Sequence, residues 1–275
     1  FSPPRSERTD VHLSSIFTYP VKSLAGHAMQ TASVTARGIV GDRRWMVIDE
    51  RDRFVTRREV PALARLSVEP TTDGLVIASG SGGCRAVTPG STALVVEATV
   101  WRDKLALRLG NQEADAFLSA ELGRPVRLAY QHDDSRRPID SRFSQAGDHV
   151  SLADGFPLLI TTEASLHALN DRLTVPVTME RFRPNLVIAG AGPWEEDRWR
   201  RIRIGSLELE VARPCSRCVV ITQQPHTGER LEGNEPLATL RAMGRSTKEG
   251  VLFGQNAILR LGDNLSVGDK VEIVE

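Results

Sequence analysis

The sequence predicts an α+β, β-rich fold made of two domains. Short apolar runs bounded by turn residues occur throughout the chain, whereas helical periodicity occurs in few places. The 275 residues are enough for two modest domains with separate cores. Residues 132–148 carry Asp, Ser, Arg, Pro and Gly with few large apolar side chains, which predicts an exposed connection. We therefore expect a β-rich N-terminal domain at 10–131 and a β-barrel-like domain at 149–275.

The N-terminal domain is predicted to contain several strands and one helix. Asn111 is a good N-cap, apolar residues then recur at helical spacing, and Gly123 stands where a helix would end. We therefore expect a helix at 112–122. The predicted strands are residues 11–19, 29–35, 44–49, 54–57, 75–79, 94–100 and 126–130.

The C-terminal domain is predicted to contain more strands and two short helices. One helix is capped near Thr162 and has three leucines on one face, and Pro236 begins the other. Gly205 and Ser206 form the turn of a hairpin. The predicted strands are residues 158–160, 186–188, 201–204, 207–212, 219–222, 250–261 and 270–274.

The balanced charge argues against a nucleic-acid-binding protein, because 35 basic residues face 35 acidic ones and no overall positive field results. A small anionic ligand in a local basic pocket fits this balance. No apolar run approaches the roughly 20 residues of a membrane helix, so we expect no transmembrane segment and a cytoplasmic location. Because the first residue is Phe, an organellar or membrane-associated form with a removed leader stays open.

Two of the three cysteines, Cys215 and Cys218, form a C-x-x-C motif. The neighbouring Arg213 and Arg217 are expected to favour the thiolate form of such a cysteine. A zinc site needs about four ligands, which the sequence does not group together. A thioredoxin-like pair would open a helix, whereas a β-branched run follows here. A pair of inert buried thiols remains open on the residues alone, and the role of Cys84 is also open.

An ordered set of motifs resembles the MOSC family, and covers nearly the whole chain. The N-terminal part resembles the family's usual N-terminal companion domain, and the C-terminal part resembles the MOSC domain itself. The resemblance is greatest to the amidoxime-reducing members of the family in mitochondria and their bacterial counterparts. The motifs are Y-P-V-K-S at 19–23, G-D-R-R-W at 41–45, R-F-R-P-N at 181–185, C-S-R-C at 215–218, E-P-L at 235–237, L-F-G-Q-N at 252–256 and V-G-D at 267–269.

The resemblance implies a molybdenum-pterin cofactor (molybdopterin) and a set of residues that hold it. The second cysteine of C-S-R-C, Cys218, is the implied metal ligand, with Cys215 as a neighbour. A soft thiolate suits a metal that already carries two dithiolene sulfurs. Asp154 matches an acidic position near the metal. The implied phosphate anchors are Lys22, Ser23 and Arg43, and the other implied cofactor contacts are Arg183, Asn185, Ser216 and Arg217.

The function that the resemblance implies is reduction of small N-hydroxylated compounds, amidoximes and hydroxylamines, by oxygen-atom transfer to the metal. A carrier of the cofactor or of sulfur on Cys218 without turnover is the alternative, and a structural protein without metal is the third reading. The segment 223–226 departs from the mitochondrial relatives, which leaves His226 open as a proton donor.

Reducing equivalents are expected to come from a separate protein. The three cysteines cannot ligate a plant-type iron–sulfur cluster, which needs four. No glycine fingerprint lies between a predicted strand and a predicted helix, because Gly190 and Gly192 run into Pro193 instead of a helix. We therefore expect an external electron donor, a ferredoxin or a cytochrome with its reductase.

Overall fold

The computed structural model describes residues 10–275. In the N-terminal half it contains one α-helix, α1 (Gln112–Leu122), and the following strands: β1 (His12–Thr18), β2 (His27–Met29), β3 (Thr31–Thr35), β4 (Gly38–Ile39), β5 (Trp45–Ile48), β6 (Ser67–Thr71), β7 (Gly74–Ser79), β8 (Gly82–Val87), β9 (Val95–Val100), β10 (Asp103–Leu109) and β11 (Arg127–Tyr130).

The C-terminal half contains two short α-helices, α2 (Glu163–Asn170) and α3 (Leu237–Ala242). Its strands are β12 (Arg137–Pro138), β13 (His149–Val150), β14 (Leu158–Thr162), β15 (Leu186–Ala189), β16 (Arg201–Ile204), β17 (Leu207–Arg217), β18 (Ser246–Thr247), β19 (Gly250–Leu261), β20 (Asn264–Ser266) and β21 (Val271–Ile273).

A nine-stranded sheet connects the two ends of the chain. Its order is β2-β1-β15-β14-β19-β17-β16-β21, and β18 pairs with β19. β1 runs antiparallel to both β15 and β2, so two strands from the first 29 residues complete the sheet of the C-terminal half. β3 and β4 form a separate three-stranded sheet with β20. The apolar side chains of this sheet pack around Trp199, which is 2% exposed. This pairing places the segments around residues 19–23 and 41–45 beside residues 181–185.

The rest of the N-terminal half forms two smaller layers. β5, β11, β10 and β9 make a four-stranded sheet, and β6, β7 and β8 form an antiparallel meander. Helix α1 packs on this half through Ala114 and Leu118, which are fully buried. Its C-terminus closes on Gly123 in the left-handed conformation (φ 63°), which glycine adopts without steric cost.

The β-rich α+β fold is confirmed, and three local predictions are wrong. Residues 54–57 make only an isolated bridge at Phe54 and then a turn. Val219–Thr222 is a 3-10 helix, because the chain turns at the end of β17 and buries Ile221. Asn111 does not cap α1 with its side chain, which instead binds the backbone of Arg85 and Val87.

The segment 132–148 is less exposed than its composition predicts. Ser135, Arg137 and Ile139 are each at most 6% exposed. Arg137 is held by an ion pair to Asp103 and by backbone carbonyls of residues 151–154. A buried guanidinium thus ties this segment to both halves. Within residues 10–275 the structure has no helix long and apolar enough to cross a membrane.

Candidate functional site

A cleft between the two halves brings together eight of the nine side chains that the sequence singles out. Its cavity volume is about 120 Å³. The N-terminal half contributes Lys22, Ser23, Arg43 and the segment 56–58, and the C-terminal half contributes residues 153–156, 182–185 and 215–218. The exception is Ser216, whose hydroxyl donates to the Glu249 carbonyl at 2.7 Å outside the cleft.

Both cysteines of the C-x-x-C motif face guanidinium groups. β17 extends through Arg217, so Cys215 lies at the end of a strand and Cys218 begins the 3-10 helix that follows. Arg58 Nη2 lies 3.2 Å from Cys218 Sγ, and Arg217 Nη1 lies 2.8 Å from Cys215 Sγ. The two thiols are unbridged and partly exposed. Their position gives a small ligand access to both sulfur atoms.

Arg213 does not take part in this arrangement, contrary to the expectation from its closeness in sequence. Its guanidinium pairs with Glu249 and stacks on the ring of Phe143 at 4.4 Å. The β-bulges in β17 between residues 211 and 216 break the simple alternation of its side chains. The guanidinium beside Cys218 belongs instead to Arg58, from the other half of the molecule.

The described part of the chain contains no group of three His, Cys, Asp or Glu side chains that could hold a metal ion. The atoms around Cys218 are cationic donors, which do not ligate metals. The geometry therefore gives no support to a zinc site built from the chain's own residues.

Lys22 and Asp154 form an ion pair at the N-terminal wall of the cleft. Lys22 Nζ lies 2.6 Å from Asp154 Oδ1 and donates to the Leu152 carbonyl at 2.9 Å. Arg58 Nη2 lies 3.6 Å from the other carboxylate oxygen. Desolvation acts to raise the pKa of Asp154, but the positive charges of Lys22, Arg58 and Arg43 outweigh it and hold this pKa well below its usual range. Asp154 is therefore an ionised acceptor at neutral pH and not a proton donor.

Arg43 joins the two halves at the base of the cleft. Its Nη1 donates to Asp42 Oδ2 at 2.6 Å and to Asn185 Oδ1 at 3.2 Å, and its Nη2 donates to the Arg183 carbonyl at 3.2 Å. The ring of Tyr19 contacts the guanidinium groups of both Arg43 and Arg183, at 4.4 and 4.2 Å. These contacts fix the directions of both arginines.

Asn185 lines the cleft but uses its amide within the protein. Its Oδ1 accepts from the Leu159 N–H at 3.2 Å as well as from Arg43, and its Nδ2 donates to the Phe17 carbonyl at 3.2 Å. The residue is 1% exposed. Asn185 therefore positions Arg43 and the adjacent backbone. Both ends of its amide are already used in these contacts and not directed at a pterin.

Three of the implied cofactor residues have left-handed backbone conformations. The φ angles are 73° at Ser23, 46° at Arg43 and 54° at Arg183. Such angles cost a residue with a Cβ on the order of 1 kcal/mol or more, and they cluster where function requires a particular geometry. All three lie on the cleft wall.

Sequence reasoning missed Arg57 and Arg58, which both line the cleft. The sequence signal that could have found them is a pair of adjacent arginines shortly after the apolar residues 54 and 55, in a protein expected to bind an anionic ligand. His226 lies outside the cleft, with Nε2 3.2 Å from Glu180 Oε2, and borders a smaller cavity. Cys84 is buried in strand β8, and burial raises the pKa of its thiol to about 11.

The donors of the cleft fit a phosphate-bearing cofactor. Six cationic side chains line it, against the single carboxylate of Asp154. The Nε atom of Arg217 is buried and has no hydrogen-bond partner among residues 10–275. An excess of positive charge and an unused donor both favour an anion with several acceptor oxygens.

Comparison with known proteins finds two family models along the chain. A family model described as the MOSC N-terminal beta barrel domain matches residues 10–125, and the MOSC domain matches 147–272. Mitochondrial amidoxime-reducing component 1 is 31% identical in Mus musculus and 32% in Homo sapiens, each over 95% of this chain and 82% of the relative. Molybdenum cofactor sulfurase of Oryza sativa subsp. japonica is 29% identical over 90% of this chain, which covers 32% of that protein.

Proposed function

Because the chain belongs to the MOSC family, we propose that its cleft binds a molybdenum-pterin cofactor and that the protein reduces N-hydroxylated compounds such as amidoximes and hydroxylamines. The relatives named as amidoxime-reducing components support this proposal over nearly the whole chain. The observation that carries it is the thiol of Cys218, which is accessible in a cleft lined by six cations.

Each half of the protein contributes a different part of the proposed site. Cys218 would hold the metal through its sulfur, and Arg58, at 3.2 Å, would stabilise the thiolate by a charge-assisted hydrogen bond. Lys22, Ser23 and Arg43 would lie around the phosphate, while Arg183 and Arg217 offer donors to the pterin. Asn185 would hold Arg43 in place.

When bound, the molybdenum centre supplies two-electron chemistry that accepts an oxygen atom. Reduction of an amidoxime consumes two electrons and two protons, and it yields the amidine and water. Asp154 is ionised, so it would accept hydrogen bonds from the N–OH and amino groups and orient the substrate. Its Lys22 and Arg58 partners keep the carboxylate fixed at the cleft wall. The protons would then come from solvent. Water can reach this part of the cleft, because the Asp154 side chain is 64% exposed.

The experiment that tests this function uses the purified full chain and a model amidoxime. We expect near-stoichiometric molybdenum by elemental analysis, and turnover when a reduced dye, or a ferredoxin or cytochrome with its reductase, supplies electrons. NADH alone should give no turnover, because we propose that electrons enter from a separate carrier. Protein with full molybdenum content that reduces no N-hydroxylated compound with any donor would contradict the proposal.

A carrier of the cofactor or of sulfur on Cys218 is the second candidate. The similarity to a molybdenum cofactor sulfurase over 90% of this chain favours it. The same preparation separates the two functions. A carrier would contain a persulfide on Cys218 without bound metal, visible by mass spectrometry, or would pass its cofactor to an acceptor protein without turnover.

A further inference from the structure

One accessible aromatic ring lies in the wall of the cleft. Two phenylalanines line the cleft, Phe156 and Phe182. Phe182 is fully buried and stacks on Phe253 with the ring centroids 3.9 Å apart, so a ligand cannot reach it. Phe156 is partly exposed. Among the described residues that line the cleft, Phe156 therefore offers the only aromatic surface that a ligand can contact.

The aliphatic side chains of the cleft add little to this apolar surface. Leu159 and Ile221 are 8% and 1% exposed, and only Val220 among the larger ones is partly exposed. Most of the remaining lining consists of charged and polar groups, which suit the cofactor and the polar end of a substrate. The apolar part of a substrate therefore has one large surface to pack against, the ring of Phe156.

Phe156 lies beside the carboxylate that we expect to orient the substrate. It follows Asp154 by two positions, with Gly155 between them, and both side chains line the cleft. The Asp154 carboxylate is itself fixed, because Lys22 Nζ lies 2.6 Å from one oxygen and Arg58 Nη2 lies 3.6 Å from the other. A ligand whose polar end contacts Asp154 consequently has its body next to Phe156.

The ring of Phe156 is supported from behind by a second ring. Phe143 contacts it edge to face, with centroids 6.4 Å apart and planes at 65°. The guanidinium groups of Arg213 and Arg142 lie 4.4 and 5.3 Å from the Phe143 ring centroid, and Arg213 pairs with Glu249. Arg213, which does not reach either cysteine, thus helps to fix this aromatic pair. A ring that is already fixed loses little conformational freedom when a ligand binds.

We propose that Phe156 is a specificity-determining residue of the cleft, and that it favours N-hydroxylated compounds whose reacting group is attached to a flat aromatic ring. The ring of such a compound packs on Phe156 while Asp154 accepts hydrogen bonds from the N–OH and amino groups. Aromatic rings in offset or edge-to-face contact gain affinity beyond their buried apolar area. An aliphatic compound with the same reacting group keeps the contacts with Asp154 and lacks the contact with the ring. This inference rests on the proposed function, because it names a substrate class for that site.

The test measures equilibrium binding of benzamidoxime and acetamidoxime to the oxidised, cofactor-loaded full chain. Without an electron donor no turnover occurs, so calorimetry reports affinity alone. The wild type should bind benzamidoxime more tightly. Phe156→Leu keeps an apolar side chain but removes the flat ring, and it should lower the ratio of the two affinities about three- to tenfold, the range expected for loss of one aromatic contact. Phe156→Tyr, which keeps the ring, should keep the ratio.

The matched control is Phe117→Leu, because Phe117 in helix α1 is also partly exposed but packs on the core of the N-terminal half and does not line the cleft. Its ratio of affinities should equal that of the wild type. Equal ratios in wild type and Phe156→Leu would overturn the inference, and so would a wild type that binds both compounds equally well. Phe156→Met takes the place of Phe156→Leu if the leucine variant does not fold.

Turnover separates a contact with the substrate from a general disturbance of the site. A contact made equally in the bound substrate and in the transition state raises KM when it is lost and leaves kcat unchanged. Phe156→Leu should therefore raise KM for benzamidoxime at near-normal kcat. A fall in kcat with both compounds would show that Phe156 only supports the site, and would overturn the inference. If the protein reduces neither compound with any donor, the proposed function fails, whereas the ratio of affinities still decides the role of Phe156.

Discussion

The cleft and the closed packing around it contain the same types of side chain in opposite situations. Cys218 is accessible and lies 3.2 Å from a guanidinium group, whereas Cys84 is 5% exposed among apolar side chains of the N-terminal half. Burial raises the pKa of the Cys84 thiol to about 11, so it stays protonated at neutral pH. The difference shows that surroundings and not residue type decide which sulfur can serve as a ligand.

Two arginines of the same motif repeat this contrast. Arg181 donates to the Ile221 and Gln223 carbonyls and to the Gln224 side chain, so it stabilises the 3-10 helix after Cys218. Arg183 makes one such contact and faces the cleft. Within this short segment, Arg181 therefore stabilises the structure, whereas Arg183 lies where its donors can face a ligand.

The largest expected effect separates the three cysteines. Cys218→Ser should lower amidoxime reduction at least about a hundredfold, since even contacts outside the metal's own ligand set cost up to that factor. Cys215→Ser should keep a substantial fraction, because its sulfur bonds to Arg217 and shapes the loop. Cys84→Ala, the control in the packed interior, should retain the rate per bound metal. Equal losses in the Cys215 and Cys218 variants with metal retained in both would contradict the difference between the two sulfurs.

The second prediction compares Arg181 with Arg183. Arg181→Met should lower the free energy of unfolding by about 3 kcal/mol, because two buried carbonyls and the partly buried Gln224 side chain lose their donor. Arg183→Met should cost less than about 1 kcal/mol in the cofactor-free protein, because it loses one hydrogen bond and also removes a partly buried charge that has no carboxylate partner among the described residues. Urea denaturation of both variants checks this. A loss at Arg183 as large as that at Arg181 would mean that both arginines are structural.

Much of the fold was accessible from sequence because apolar runs and turn residues mark strands directly. The prediction for 250–261 matches β19, and the helix at 112–122 matches α1. β17 was predicted too short because residues 213–217 are polar, and only pairing with β19 across its bulges extends the strand. Val219–Thr222 has β-branched residues, yet the turn after the cleft edge and the burial of Ile221 favour a 3-10 helix.

The site was accessible only in part, because its contacts join positions far apart in the chain. Motif resemblance identified eight side chains that the structure brings to the cleft. Arg58 reaches Cys218 from 160 positions away, a contact that depends on the pairing of the two halves. The outward direction of Ser216 likewise follows from the local register shift in β17, which spacing alone does not reveal.

The third prediction concerns how tightly the cleft holds its cofactor. Lys22→Ala and Arg43→Ala should lower cofactor occupancy with a near-normal rate per bound metal, because charge-assisted contacts to phosphate contribute about 1.5–3 kcal/mol each. Arg43→Ala should also lower stability, since it frees Asp42 and Asn185, which are buried. Metal content after gel filtration and thermal unfolding measure the two effects. Full occupancy in both variants would place the phosphate elsewhere.

The smallest expected effect concerns the difference between an acid in the cleft, Asp154, and an acid in the packed interior, Glu196. Asp154 in the cleft is held ionised by its cationic neighbours, whereas Glu196 is fully buried and bonded to the hydroxyls of Thr162 and Ser165. Burial raises the pKa of Glu196 above its ordinary value of 4.5, so the folded protein binds this proton more tightly than the unfolded chain. Its contribution to stability is therefore fully present below about pH 4.5 and is lost as pH rises through the folded-state pKa.

Glu196→Gln removes this titration and tests the contrast. Thermal unfolding of the wild type should show a melting temperature that declines, relative to the variant, from about pH 4.5 upwards, by a few degrees for a change of about 1 kcal/mol. The matched control is Glu97→Gln, since Glu97 is an exposed strand residue paired with Lys104 at 2.8 Å, and its pH profile should follow the wild type. Because the comparison is of slopes with pH, any constant cost of placing an amide among the two hydroxyls cancels. Parallel pH profiles for wild type and Glu196→Gln would show that the pKa of the buried carboxyl does not change on folding. The proposed contrast between the acid of the cleft and the acid of the interior would then be wrong.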